Sequence, residues 1–309
     1  MMRQRLSLLL LALCLSTALY GQAGFVYYDV DRLYDTIPSP FYNDNDYTPQ
    51  GRYRWSGERY RAKVQDIAAL IDSLAQPIVA LYGVENEQVV RDLATALKGD
   101  YTYLHRTLNT LDGMDFALLY YGDRLIPYAC HTARRTLHVE ATIDRDTVSI
   151  LLSADRATLT AMLQDEQERY PHRRFLVAGP LQGLHATDLG LVDRMERAAR
   201  AGHGTRYRSS GWQMRDRIFT SPEIGSEAGE VFIRRWLLDP ESGTPLPTYR
   251  GGRYQGRSQY KFTDLVPDAS LKFAELKKKV YIRNPLCCAT EPEQETNRTY
   301  FILFSIFFN

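Results

Sequence analysis

The sequence predicts an α/β protein of the α+β kind in which two facing β-sheets are flanked by helices. Three observations lead there. Helical and strand periodicities alternate between residues 56 and 97, four β-prone runs crowd together between 116 and 152, and helix–strand alternation returns between 155 and 200. Helix-connected strands mixed with closely spaced antiparallel ones, over about 250 residues, fit two sheets between helices better than a doubly wound parallel sheet.

Each element follows from local pattern. Residues 24–30 form a short β-prone run, and Pro38, Pro40, Asn43 and Asn45 then make a polar loop. Across 56–74, Tyr60, Val64, Ile67, Ala68, Ile71 and Leu74 share one helical stripe, opposite an Arg-rich face that reads as solvated. Pro77 precedes the continuous apolar run 78–82, the look of a strand buried on both faces, and 87–97 returns to helical spacing. The runs 116–120, 125–129, 137–143 and 148–152 are separated only by short, turn-rich stretches, which predicts antiparallel pairing. Asp155 can cap a helix reaching Tyr170, 174–178 reads as a strand and 188–200 as a helix. Short strands are expected at 217–220 and 231–236. No repeat or low-complexity linker divides this stretch, so one domain is expected over 24–273, followed by a tail at 274–309 whose last residues are apolar and which should pack poorly.

Composition bounds the function. Lys plus Arg is 38 and Asp plus Glu is 37, so no bulk field recruits nucleic acid or an anionic membrane. Residues 1–23 read as a secretory signal: Arg3 and Arg5 precede an apolar run that gives way to Gly21-Gln-Ala23. Leu13 before Cys14 argues against lipidation, so soluble export, periplasmic or extracellular, is expected. Cys130, Cys287 and Cys288 then remain, an odd set that does not make a disulfide framework, although one bridge from Cys130 to the tail is open. Neither a CxxC pair nor an HExxH pattern supports zinc.

Several short motifs occur in a telling order: Phe25-Val-Tyr-Tyr-Asp-Val-Asp-Arg-Leu-Tyr-Asp35, Asp46-Tyr-Thr-Pro-Gln-Gly51, Arg54-Trp55 and Tyr82-Gly-Val-Glu-Asn86. Asp115-Phe-Ala-Leu-Leu-Tyr120, Gly202-His-Gly-Thr205, the stretch around Asp216, Tyr254-Gln-Gly256 and Thr263-Asp264 follow. In this order they resemble secreted bacterial members of the endonuclease/exonuclease/phosphatase family. The resemblance implies a DNase I-like, four-layer αββα sandwich of two mixed sheets between helices, with a Mg²⁺-dependent phosphoester-cleaving site at one edge. A hard cation there wants carboxylate oxygens, an Asp and an Asn orient the attacking water, and a His with its Asp partner steadies the phosphoryl group.

Carried over by position, most of that chemistry is gone. Asp29, Gln182, Asp216 and Asp264 are remnants, whereas the metal-binding Glu falls on Gly83, one His on Leu152, the water-orienting Asp on Pro180 and the second His on Leu265. Asp112 stands where the family has an Arg. The resemblance therefore implies a catalytically inactive relative, a binding or scaffold module with no cofactor. The competing expectation is a rearranged Mg²⁺ or Mn²⁺ site built from Asp29, Glu85, Asp216 and Asp264, with His185 or His203 moving protons; Glu85 is expected on the same strand face as position 83. A further expectation is weak polyanion binding through Arg206, Arg208, Arg250, Arg253 and Arg257, interleaved with aromatic rings.

Overall fold

The computed structural model describes residues 24–208, 211–225, 228–233 and 306–307. In chain order the elements are β1 (Gly24–Leu33), a 3₁₀ turn (Asn45–Tyr47), α1 (Gly57–Leu74), β2 (Ile78–Val84), α2 (Glu87–Ala96), β3 (Thr102–His105), β4 (Asp115–Tyr120), β5 (Leu125–Ala133), β6 (Thr136–Ile143) and β7 (Asp146–Ser153). They continue with α3 (Arg156–Arg169), β8 (Arg174–Gly179), α4 (Ala186–Leu189), β9 (Val192–Asp193), α5 (Glu196–Arg200), β10 (Arg206–Arg208), β11 (Gly211–Gln213), β12 (Arg217–Thr220) and β13 (Ile306–Phe307).

Two mixed sheets result. The first has the order β13-β1-β2-β4-β3 and the second β5-β6-β7-β8-β12-β9, while β10 and β11 form a separate hairpin. β1 runs parallel to β2, and β7 parallel to β8; the helices α1 and α3 make those two crossovers. Phe25, Tyr27 and Ile78 of the first sheet face Val139, Ile150 and Leu176 of the second across one buried core. Strand alternation sends Val26 and Tyr28 the other way, onto Val64, Ile67 and Val89 of α1 and α2. Leu159 and Leu163 of α3 cover Leu151, Val177 and Phe219 on the second sheet's outer face. These are the four layers the sequence predicts.

Local signals set the helix starts. Ser56, Asn86 and Asp155 each accept a bond from the backbone N–H three residues on, capping α1, α2 and α3. Ala75 closes α1 in the left-handed region, at φ 50°.

The structure departs from expectation in several places. The helix expected over 188–200 is broken: Gly190 takes φ 63°, Val192–Asp193 pairs with β12, and only Glu196–Arg200 turns helical again. Its apparent stripe serves two cores, because Leu189 and Leu191 pack under α3 whereas Met195 and Ala198 join the core between the sheets. Residues 231–233 form no strand, and 234–236 lie outside the described residues. Neither β3 nor the β10–β11 hairpin has a counterpart among the expected strands. The tail at 274–309 lies outside the described residues apart from β13, which pairs with Gly24 and Phe25. Among the described residues, no helix is long and apolar enough to cross a membrane.

Candidate active-site cleft

The candidate site lies where the regular pairing of β1 and β2 ends and the turn before β12 reaches it. β1 and β2 pair regularly up to Asp29 and Tyr82, then slip, so that Leu33 is next in register with Val84. The excess lies in β1, where Asp31 and Arg32 take left-handed backbone at φ 49° and 61°. Lys63, buried on α1, fixes that bulge by donating to the carbonyls of Asp31 (2.6 Å) and Arg32 (3.2 Å). Opposite it, Gly83 has φ 86°, and a Cβ built there would lie 3.1 Å from the Arg32 nitrogen and 3.4 Å from Asp29 Oδ1. The space a glutamate at this position would use is lined by bulge backbone.

Both oxygens of Asp29 accept a hydrogen bond. Its Oδ1 accepts the Asp31 N–H at 2.9 Å, and its Oδ2 accepts from an Arg215 terminal nitrogen at 2.8 Å. The guanidinium's Nε also lies 3.8 Å from Asp216 Oδ1. Burial works against the charge of Arg215, but the carboxylates of Asp216 and Asp29 outweigh it and raise its pKa. Burial lifts Asp216 to about 6, against the pull of Arg215. Thr205 Oγ1 receives the N–H groups of both Arg215 and Asp216 at 2.9 Å, anchoring the turn that aims them inward. Tyr27 is wholly buried beside them; burial and the two acids hold its phenol protonated, and neither its hydroxyl nor Asp216 Oδ1 has a hydrogen-bond partner among the described residues.

A second guanidinium lines the rim. Arg135 donates to the Tyr82 hydroxyl at 2.5 Å and lies 3.5 Å from Asp112 Oδ1. None of Arg215, Arg135, Tyr27, Tyr82 or Lys63 stands out by periodicity. The one usable signal is that Arg215 adjoins Asp216, a retained acid.

Other expected site residues are not gathered here. Glu85 does not share a strand face with position 83, because the slip between Tyr82 and Val84 breaks the alternation. It turns to the loop after β1, accepting from the Asp35 N–H at 2.6 Å and the Tyr42 hydroxyl at 3.0 Å. Burial raises it to about 8. Leu152 is sealed in the core between the sheets. After Gly179, where a Cβ would fall 1.9 Å from the Ser153 carbonyl oxygen, Pro180 is half-buried and Leu181 drops into the outer core. Gln182 is exposed, with its backbone carbonyl on Arg156. His185 and His203 are exposed, and neither hydrogen-bonds to Asp29 or Asp216. Arg206 is half-buried, where its charge acts on Asp216, and does not stand out on a basic surface. Nothing is described of the Arg208 side chain, and Arg250, Arg253, Arg257, Asp264 and Leu265 lie outside the described residues.

A Mg²⁺ or Mn²⁺ ion needs several free oxygen donors. Both Asp29 oxygens already accept a hydrogen bond, Asp216 Oδ1 faces the Arg215 guanidinium, Gly83 supplies no side-chain oxygen, and Glu85 serves another loop. No group of three or more His, Cys, Asp or Glu among the described residues is placed to hold a metal. The described residues do not fit the ion.

Residues 24–166 match the sequence profile of the Endonuclease/Exonuclease/phosphatase family. This stretch, a little under half of the chain, is similar to that family. The match spans β1 through most of α3 and so includes Asp29, the bulge, Gly83 and Glu85. Among solved structures, the family's protein from Bacteroides vulgatus is similar at 10% identity, with 69% of this chain and 92% of that one covered and a TM-score of 0.48. A mannosyl-6-phosphatase from Bacteroides thetaiotaomicron is similar at 13% identity, over 68% and 89% of the two chains, with a TM-score of 0.47. A humanized D. rerio TDP2 carrying 14 mutations is similar at 14% identity, over 69% and 88%, with a TM-score of 0.45. No curated protein matches the chain.

Proposed function

We propose that this protein is an exported member of the endonuclease/exonuclease/phosphatase family that no longer cleaves phosphoesters and acts as a binding or scaffold module. The observation that carries the reading is Gly83. The family's principal metal carboxylate is missing there, and the left-handed glycine backs onto bulge backbone that already satisfies Asp29 Oδ1. The loss of one general acid or base costs roughly 10²- to 10⁴-fold in rate. Here the metal carboxylate, the water-orienting Asp and both histidines are replaced together, at Gly83, Pro180, Leu152 and Leu265. The family fold is kept while its chemical positions are filled by apolar or conformational residues, which supports a binding role over turnover.

The test is a panel of phosphodiester, phosphomonoester and nucleic-acid substrates with the secreted chain, in Mg²⁺ and in Mn²⁺. The expected result is no hydrolysis above the buffer background. Turnover that disappears in Asp29→Ala or Asp264→Ala would refute the inactive reading and establish a rearranged metal site.

A further inference from the structure

The cleft already contains a cation. We propose that Arg215 is its resident positive charge: the guanidinium, bonded to Asp29 and facing Asp216, stands where a divalent ion would need to reach those carboxylates, so the cleft is a guanidinium–dicarboxylate centre and not a metal centre. The assignment rests on the proposed inactive reading for its context, but on separate observations.

Geometry comes first. Arg215 reaches Asp29 from the turn before β12 at 2.8 Å and keeps its Nε 3.8 Å from Asp216. Its side chain is 20% exposed, and those of its partners are 8% and 4% exposed, so the charges act on one another through little solvent. The remaining Asp29 oxygen is held by the Asp31 N–H, which the Lys63-clamped bulge places there. Each Asp29 oxygen thus already has a donor, and an ion approaching the pair from the Asp216 side would have to displace the Arg215 guanidinium.

Charge balance points the same way. Among the described residues, Asp29, Asp112 and Asp216 are matched by Arg135, Arg206 and Arg215, with Arg135 paired to Asp112 and Arg206 acting electrostatically on Asp216. A divalent ion would add an uncompensated double charge to a site walled by Tyr27 and Tyr82, and burying charge without a counter-charge is strongly unfavourable. A guanidinium is well matched to this position, being planar, always charged, and able to face two carboxylates through different nitrogens.

The experiment compares melting of the whole secreted chain in EDTA and in millimolar Mn²⁺, for wild type, Asp29→Asn, Arg215→Ala, Arg215→Lys and Asp29→Asn/Arg215→Ala. A ligand specific for the native state must raise the melting temperature, so wild type is expected to melt identically in both buffers. Arg215→Ala strands two buried carboxylates and should melt about 10 °C lower. Arg215→Lys keeps the charge and should fall less, which covers the case in which the alanine variant does not fold. Asp29→Asn/Arg215→Ala should recover part of the loss. A Mn²⁺-dependent rise in wild type that Asp29→Asn abolishes would overturn the assignment, as would a Lys variant no more stable than the Ala variant. Metal-free phosphoester turnover would sink the proposed function and leave this assignment standing.

Discussion

Glu85 illustrates how far a residue's neighbours can depart from its place in a motif. Its position in Val-Glu-Asn suggests a carboxylate aimed at a metal, yet its oxygens accept from Asp35 and Tyr42, and burial raises it to about 8. An acid whose folded pKa lies above its unfolded value of 4.5 adds stability that is complete below pH 4.5 and lost as pH rises through about 8. Wild-type stability should therefore fall between pH 5 and 9 by an amount on the order of 3 kcal/mol from this group. Glu85→Gln cannot ionise and should flatten that slope, as read by urea denaturation at the two pH values; an unchanged slope would place the titration elsewhere. Asp216 differs in origin: its partner Arg215 follows from adjacency in the chain, and that much is legible in the sequence.

At the scale of elements, the sequence shows the strands and helices well and their irregularities poorly. The runs at 78–82 and 148–152 are largely apolar because both faces of these strands are covered, whereas 137–143 alternates and sends Leu137, Val139, Ala141 and Ile143 into the core; all three appear where expected, as β2, β7 and β6. The β1 bulge is invisible beforehand, since nothing in Asp29-Val-Asp-Arg-Leu33 demands left-handed backbone at Asp31 and Arg32. Its support comes from α1, where Lys63 borders the apolar stripe and is only 5% exposed. Lys63→Met should remove two charge-assisted bonds and cost about 2 to 3 kcal/mol. Chemical denaturation measures that loss, and amide exchange at Asp31 to Leu33 should rise with it; unaltered exchange would mean that the bulge stands without its clamp. The expected helix at 188–200 fails for a related reason, because one apparent stripe supplies two separate cores.

For the molecule as a whole, the four-layer architecture was legible because it depends on many weak signals that agree, whereas the cleft depends on a few side chains meeting from distant parts of the chain. Asp29 and Arg215 are 186 residues apart, and no spacing rule links them. On the proposed inactive reading, the fold also resists the side chains that the family resemblance implies. Gly83→Glu needs a non-glycine residue at φ 86° against bulge backbone, and Leu152→His puts an unpaired imidazole into the core between the sheets. Each should cost about 2 to 4 kcal/mol. Together they should yield a less stable protein without Mn²⁺-dependent hydrolysis; the appearance of such activity, measured with a chromogenic phosphodiester, would mean that the sheets still hold the old site open.

Trp55 gives the molecule an optical gauge of this region. Its indole N–H donates to the Tyr34 carbonyl at 2.9 Å, and the Lys63 ammonium stands 5.9 Å from the ring centroid. Because that ammonium also grips Asp31 and Arg32, displacement of the cleft wall changes the electric field across a buried fluorophore. In a variant that keeps Trp55 and replaces Trp212 and Trp236, emission colour thus reports ligand arrival or wall movement, even when no bond is cleaved.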